Sequence, residues 1–246
     1  MSLDLLREHR RVFAKKPALA QVYGVWFGRL LEGVPHGARV LEAGAGPGTF
    51  APHVRAVRPD LRWIALDLIA APWNDLVADA HALPFRDATF DAVVGIDFVH
   101  HLSTPLVFLG EAARVLKPGG ELRLVEPWVS PFSFPIYRWL HHEGATFGLD
   151  PARPFGNGDS KAPFEGDAGV TRAIANEVDE AAWARLGYAS RPVFAPINGF
   201  AYLLSLGFKR PTLLPRFLAG PLIALDRLLP ARLTAMRVEM RGRKPA

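Results

Sequence analysis

The stretch Ala38-Arg39-Val40-Leu41-Glu42-Ala43-Gly44-Ala45-Gly46-Pro47-Gly48-Thr49-Phe50-Ala51-Pro52-His53-Val54-Arg55-Ala56-Val57 decides the fold. The apolar run Ala38 to Leu41 predicts a buried strand that ends in a glycine-rich turn. Thr49 then opens a helix carried by Phe50, His53, Val54 and Val57, which share a helical period. Strand, glycine turn and helix together make a βα unit of an open α/β sheet. Its turn crosses the carboxyl edge, where such sheets bind ligands, and the glycines let backbone come close to one. The dinucleotide fingerprint G-x-G-x-x-G would need glycine at 49, with a pyrophosphate on the helix N-terminus. Here position 49 is threonine, the third glycine comes one residue early, and Glu42 stands two residues before the first.

That E-x-G-x-G-x-G pattern resembles motif I of the class I S-adenosylmethionine-dependent methyltransferases. Their cofactor has no phosphate but carries a cationic amino group and a sulfonium, beside which an acid at the strand end makes electrostatic sense. The resemblance implies Glu42, Ala43, Gly44, Ala45, Gly46 and Gly48 as residues around that cofactor.

The landmarks that follow agree. Arg62 to Leu66 reads as a second strand ending at Asp67, 19 residues after Gly48. A Rossmann-like crossover places an acid there against ribose hydroxyls, and a carboxylate can accept from both; Leu68 belongs to the same edge. Leu76 to Phe85 is similar to the D-A-x-x-L-P-F segment of the ubiquinone/menaquinone-biosynthesis-like (methyltransferase type 11) group. That aspartate takes the adenine exocyclic amine, a role falling to Asp79 and the Ala80 backbone. Phe90 to Asp97 predicts the fourth strand, with Asp97 at its cofactor end. Thr104-Pro105 reads as a helix start, N-cap followed by N1 proline. The run Glu111 to Pro127, E-A-A-R-V-L-K-P-G-G-E-L-R-L-V-E-P, resembles the family's next helix, turn and fifth strand. The likeness covers roughly 38–127.

The fold expected is a Rossmann-like, doubly wound α/β sheet of seven strands, mostly parallel with an antiparallel edge strand. An N-terminal helical cap (1–33), a cofactor-binding half (38–127), substrate-side insertions including a helical one after strand five (128–230) and a closing strand (234–241) are expected to form a single domain over 1–246. In the cap, a basic helix at 3–16 precedes one at Leu19 to Leu31, whose Tyr23 and Trp26 either line the cofactor pocket or pack on the sheet. Further on, the pattern predicts an aromatic helix from Pro131 to His142 and a mobile loop over 144–169. It then predicts a helical segment at 170–187, a sixth strand from Tyr188 to Ile197 with Asn198-Gly199 as a turn, and a final edge strand from Thr234 to Arg241.

Composition narrows the chemistry. The chain has 246 residues and no cysteine, which excludes thiolate zinc, a cysteine nucleophile and iron–sulfur radical chemistry; no metal site is expected. The start lacks the apolar core of a signal peptide and no run is long enough to span a bilayer, so a cytoplasmic protein is expected. The net charge of +5 is uneven: 1–32 holds six basic and three acidic groups, 201–246 nine and two, and the remainder 14 and 19. Basic ends of this kind suit an anionic membrane surface or nucleic acid. The run 213–229 is apolar within the most basic part, the pattern of an interfacial helix or of a cap over the substrate.

A sulfonium methyl is already electrophilic, so the protein mainly aligns a nucleophile and removes a proton where needed. Base N-methyltransferases carry N/D-P-P-Y/F after strand four, whereas this chain has Asp97-Phe98-Val99-His100. Methylation of oxygen or carbon on a small, lipophilic or lipid-like acceptor is therefore expected, with peripheral contact at the inner membrane surface and nucleic acid disfavoured. The candidate bases are His101 first and His142 second; His100 and His101 also suit packing beneath the cofactor. An RNA or protein methyltransferase and a noncatalytic S-adenosylmethionine-binding protein at the membrane are the competing classes. The oligomeric state is not legible.

Overall fold

The computed structural model describes residues 3–140, 144–155, 165–208 and 213–246. Two N-terminal helices, α1 (Leu3–Lys15) and α2 (Pro17–Leu31), precede β1 (Arg39–Ala43), α3 (Phe50–Val57), β2 (Arg62–Asp67) and β3 (Leu76–Val77). Then come β4 (Phe90–Ile96), a 3-10 turn at Val99–His101, α4 (Pro105–Val115) and β5 (Leu116–Pro127). The remainder holds α5 (Ser133–Pro135), α6 (Gly169–Glu177), α7 (Glu180–Arg185), β6 (Val193–Asn198), α8 (Phe200–Ser205), α9 (Arg216–Asp226), α10 (Ala231–Thr234) and β7 (Ala235–Arg243).

The seven strands lie in the order β3-β2-β1-β4-β5-β7-β6. β1 pairs in parallel with both β2 and β4, and β5 runs parallel to β4. Strand order therefore reverses between β1 and β4, which opens the crevice in which doubly wound sheets hold ligands. Both faces are covered, as the near-continuous apolar strands require. Successive side chains point to opposite faces: Leu41 and Val93 join Phe108, Leu109, Ile174 and Trp183 on one side, whereas Val40 and Val94 join Leu19, Phe27, Phe50 and Ala219 on the other. Proline opens α4 at Pro105 as the sequence predicts, although the Thr104 side chain makes no capping bond.

β7 is the antiparallel strand, paired to β5 on one side and β6 on the other. The sequence places it at the outer edge; it stands one position in, and β6 is outermost. The cause is visible in its charges. Arg237, Glu239 and Arg241 alternate along β7, and α2 and its end supply counter-charges to Glu239 and Arg241. Arg29 Nε donates to Glu239 at 2.7 Å and Arg241 Nη2 to Glu32 at 2.8 Å, so Glu239 is fully buried.

Three smaller readings change. The aromatic segment is α5 continued by a π turn at Ile136–Leu140, not one α-helix; His141, His142 and Glu143 lie outside the described residues. The sixth strand starts late because Tyr188 belongs to the core, its hydroxyl donating to Leu109 O at 2.9 Å. Asn198-Gly199 leads into α8 rather than turning back as a hairpin. Within 144–169, Phe155 is buried and its N–H donates to Ser103 O at 2.7 Å, while 156–164 lie outside the described residues.

Candidate functional site

The glycine loop crosses the carboxyl end of β1. Gly44, Gly46 and Gly48 all have positive φ, at 68°, 52° and 64°, a conformation that side-chain-bearing residues rarely adopt. Space decides as well. A Cβ on Gly44 would come within 2.1 Å of the Phe98 ring, and one on Gly48 within 2.1 Å of Trp73. Phe50, first in α3, stacks on Phe27 of α2 at 4.2 Å, which ties the loop to the helical layer.

Three acids surround this loop. Glu42 is buried on β1 and accepts the Trp63 indole N–H at 2.9 Å. Burial pushes its carboxyl up to about 8 against the pull of that bond, and Asp67 and Asp75 add to the rise. Asp67, at the end of β2, accepts from Gly46 N and Ile69 N, each at 2.8 Å. Burial raises its pKa although those backbone bonds oppose it. Ala45 N donates to Leu66 O at 3.0 Å and Ala78 N to Asp67 O at 3.1 Å, so the loop, Asp67 and the segment before Asp79 are stitched together. Asp79 Oδ1 accepts from His81 N at 2.9 Å and His81 Nδ1 at 2.7 Å. Burial works against its charge, but the His81 contacts hold its pKa below the ordinary value. Ala43, Ala45 and Ala80 are buried, while Leu68 is 55% exposed beside Asp67. The structure thus gathers Glu42, the glycine loop, Asp67, Leu68, Asp79 and Ala80 along one stretch of the sheet edge.

At the exit of β4, Asp97 has φ of 50°, uncommon outside glycine. Its carboxylate pairs with the buried Arg237 of β7 and accepts the Tyr23 hydroxyl at 2.9 Å. Burial pushes Asp97 up, against the attraction of Arg237. Arg237 in turn lies over Trp26 and Tyr202, 5.2 and 4.6 Å from the ring centroids. His100 is buried, its Nδ1 2.6 Å from Glu126 Oε2. Glu126 also accepts from Phe98 N at 2.9 Å and Val99 N at 2.8 Å, so this β5 acid holds the whole turn. His101 is partly exposed, its ring tilted against that of His100 with centroids 4.1 Å apart. His142 lies outside the described residues.

Several of these residues escape a reading of the sequence. Arg10 of α1 donates to Pro47 O at 2.9 Å and Gly48 O at 2.7 Å, and lies 4.9 Å over Trp73. Trp73 donates to Gly46 O at 2.8 Å. Helix α1 is thereby clamped to the glycine loop. No motif marks Arg10 or Trp73; Glu126 alone had a signal, as the acid ending the family-like fifth strand.

The donor set fits S-adenosylmethionine. Burial pushes the Glu42 carboxyl up to about 8, so a cation beside it would favour its charged form, and at Gly46 only Gly44 O lies within 4 Å of a Cβ position, which leaves backbone open to a ligand. Asp67 accepts two backbone N–H groups and keeps further lone pairs with which it could accept from hydroxyls. Residues 41–124 match the family described as a methyltransferase domain. Residues 41–124 carry a methyltransferase domain. Its cofactor is S-adenosylmethionine.

Relatives of this methyltransferase domain differ in what they methylate. The chain is 33% identical over 129 residues to the tRNA (carboxymethyluridine(34)-5-O)-methyltransferase of Arabidopsis thaliana, covering 48% of this chain and 29% of that one. It is 39% identical over 97 residues to the fatty-acid O-methyltransferase of Mycolicibacterium smegmatis, covering 34% and 35%. The matches thus span only about a third of these relatives' lengths. A solved S-adenosylmethionine-dependent methyltransferase of Thermotoga maritima superposes with a TM-score of 0.58 at 16% identity, covering 98% of this chain and 97% of that one. It supports the fold alone.

Proposed function

We propose that the chain, acting as one domain over 1–246, transfers the S-adenosylmethionine methyl group to an oxygen or carbon of a small, lipophilic acceptor. The observation that carries the cofactor half of this reading is Asp67 bonded to Gly46 N at 2.8 Å, beside the buried Glu42. When bound, the cofactor supplies an electrophilic methyl. In this reading the chain's own residues do the rest. Glu42 and the Gly44–Gly48 backbone hold the charged end, Asp67 and Leu68 the ribose, and Asp79 with Ala80 the adenine. Asp97, fixed by Arg237 and Tyr23, shapes the crevice at β4. His101 takes the acceptor proton where one must leave, and His142 is the second candidate.

The lipophilic acceptor is supported by what roofs the β4 exit. Tyr23, Trp26, Tyr202, Phe13 and Phe208 form a continuous aromatic cluster, with successive ring centroids between 4.8 and 6.4 Å apart. The likeness to a fatty-acid O-methyltransferase points the same way. Among the described residues no helix is long and apolar enough to cross a membrane; in this reading the protein works in the cytoplasm and meets the inner membrane surface peripherally. A second reading, methylation of RNA, is favoured by the tRNA-modifying relative and the basic chain ends. The experiment is to incubate the protein with methyl-labelled S-adenosylmethionine and cell extract separated into lipid, RNA and protein fractions. Label in an organic-soluble small molecule supports the reading; label in RNA selects the second.

A further inference from the structure

We infer that helix α9 and the turn after it form a docking surface for an anionic lipid bilayer. The inference deepens the membrane clause of the proposed function and rests on different residues. Ala219 and Asp226 of α9 are buried, and Leu222 and Ile223 pack toward the cluster around α2. The opposite face is apolar and open. Phe217 is 76% exposed, Leu218 45% and Leu225 51%, and Leu228 just past the helix reaches 81%. Phe217, Pro221, Ala224, Leu225 and Leu228 follow the i, i+4, i+7, i+8, i+11 spacing of one helical face. Leu213 and Leu233, before and after this segment in the chain, are also exposed, at 69% and 55%. A contiguous outward apolar patch of this kind marks an interaction site.

Charge selects the occupant. Arg216 and Arg227 are both exposed and lie eleven residues apart, three helical turns, so they flank the same side of the apolar face. Arg232 adds a third exposed cation. The sole acid between 213 and 233 is Asp226, which is turned inward and accepts Ala201 N at 3.2 Å. The surface is therefore apolar and purely cationic toward solvent, the pattern of a helix lying in the interface of an anionic leaflet. At 11 residues α9 is far shorter than the roughly 20 a spanning helix needs, so it rests on the membrane rather than crossing it.

The test uses the full chain and sedimentation with vesicles of phosphatidylglycerol and phosphatidylcholine in equal parts, against phosphatidylcholine alone. Three proteins are compared: wild type, Phe217→Asp/Leu228→Asp, and Arg216→Ala/Arg227→Ala/Arg232→Ala. S-Adenosylmethionine affinity and circular dichroism check the fold of each. The expected result is wild-type binding to the anionic vesicles that weakens steeply with salt, with at least a tenfold loss in both variants and unchanged cofactor affinity. Absent wild-type binding at low salt, or variants that bind like wild type, overturns the inference. So does a wild-type dimer in sedimentation velocity that Phe217→Asp/Leu228→Asp dissociates, since a second copy would then cover the face. Vesicle binding without label in the lipid fraction of the extract leaves this surface standing and removes the lipophilic acceptor; lipid label without vesicle binding does the reverse.

Discussion

The Glu42 carboxylate and the Trp63 indole are joined by a 2.9 Å hydrogen bond between neighbouring strands, with Glu42 only 4% exposed. One neutral donor does not compensate a buried charge, and the pKa rises from 4.5 to about 8. The folded protein therefore keeps a proton that the unfolded chain loses above about 4.5. Stability from this group is complete below that value and is lost as pH rises toward 8, at up to about 1.4 kcal/mol per pH unit. Thermal melts of the cofactor-free protein should fall between pH 5 and 8, more steeply than those of Glu42→Gln. S-Adenosylmethionine affinity should rise over the same window in wild type, because a cation favours the ionised carboxylate. Parallel melts for the two proteins would remove Glu42 from the site.

Asp67 binds two backbone amides and has further lone pairs for a diol. Asp67→Ala should lower S-adenosylmethionine affinity by about 1.5–3 kcal/mol, roughly 10- to 100-fold. Calorimetry reads this directly, and Asp79→Ala should show a smaller loss. Unchanged affinity in both variants would dissolve the site as assigned.

Gly48 has no space for a methyl group, since Trp73 fills it. Gly48→Ala should cost about 1–3 kcal/mol, a fall of roughly 3–10 °C in melting temperature. Displacing Trp73 also undoes the Arg10 clamp, so α1 should become easier to cleave with trypsin. Adding Trp73→Ala should recover part of the lost stability, because the clash and its cause vanish together. A Gly48→Ala protein as stable and protease-resistant as wild type would contradict this packing.

His100 and His101 should separate cleanly. His100 is locked to Glu126 in the core, so His100→Ala should lower stability. His101→Ala at saturating cofactor should cost at least tenfold in turnover, with cofactor affinity intact and the loss shrinking at high pH. His142→Ala is measured beside it. Full turnover in both His101 and His142 variants would mean catalysis by alignment alone.

The segment 38–127 was readable because its constraints are local. The spacing of Glu42 and Gly44–Gly48 fixes one turn, and Asp67 and Asp79 follow at strand ends set by the same crossover. What lay hidden depends on distant pairings. The burial of the β7 charges depends on Arg29 of α2 and on Glu32 just past its end, which meet Glu239 and Arg241. The Arg10–Trp73 clamp and the Tyr23–Asp97–Arg237 group each join segments far apart in the chain, and no spacing rule announces them. The aromatic segment from Pro131 to His142 reads as a plain helix, yet a short α5 gives way to a π turn at Ile136–Leu140.

Fractionated extract with methyl-labelled S-adenosylmethionine reads out the acceptor itself. Label is expected on an oxygen or carbon of an organic-soluble small molecule, dependent on enzyme and reduced at subsaturating cofactor by Asp67→Ala. Label confined to RNA or protein, or no enzyme-dependent label in any fraction while the cofactor binds, would contradict the proposed function.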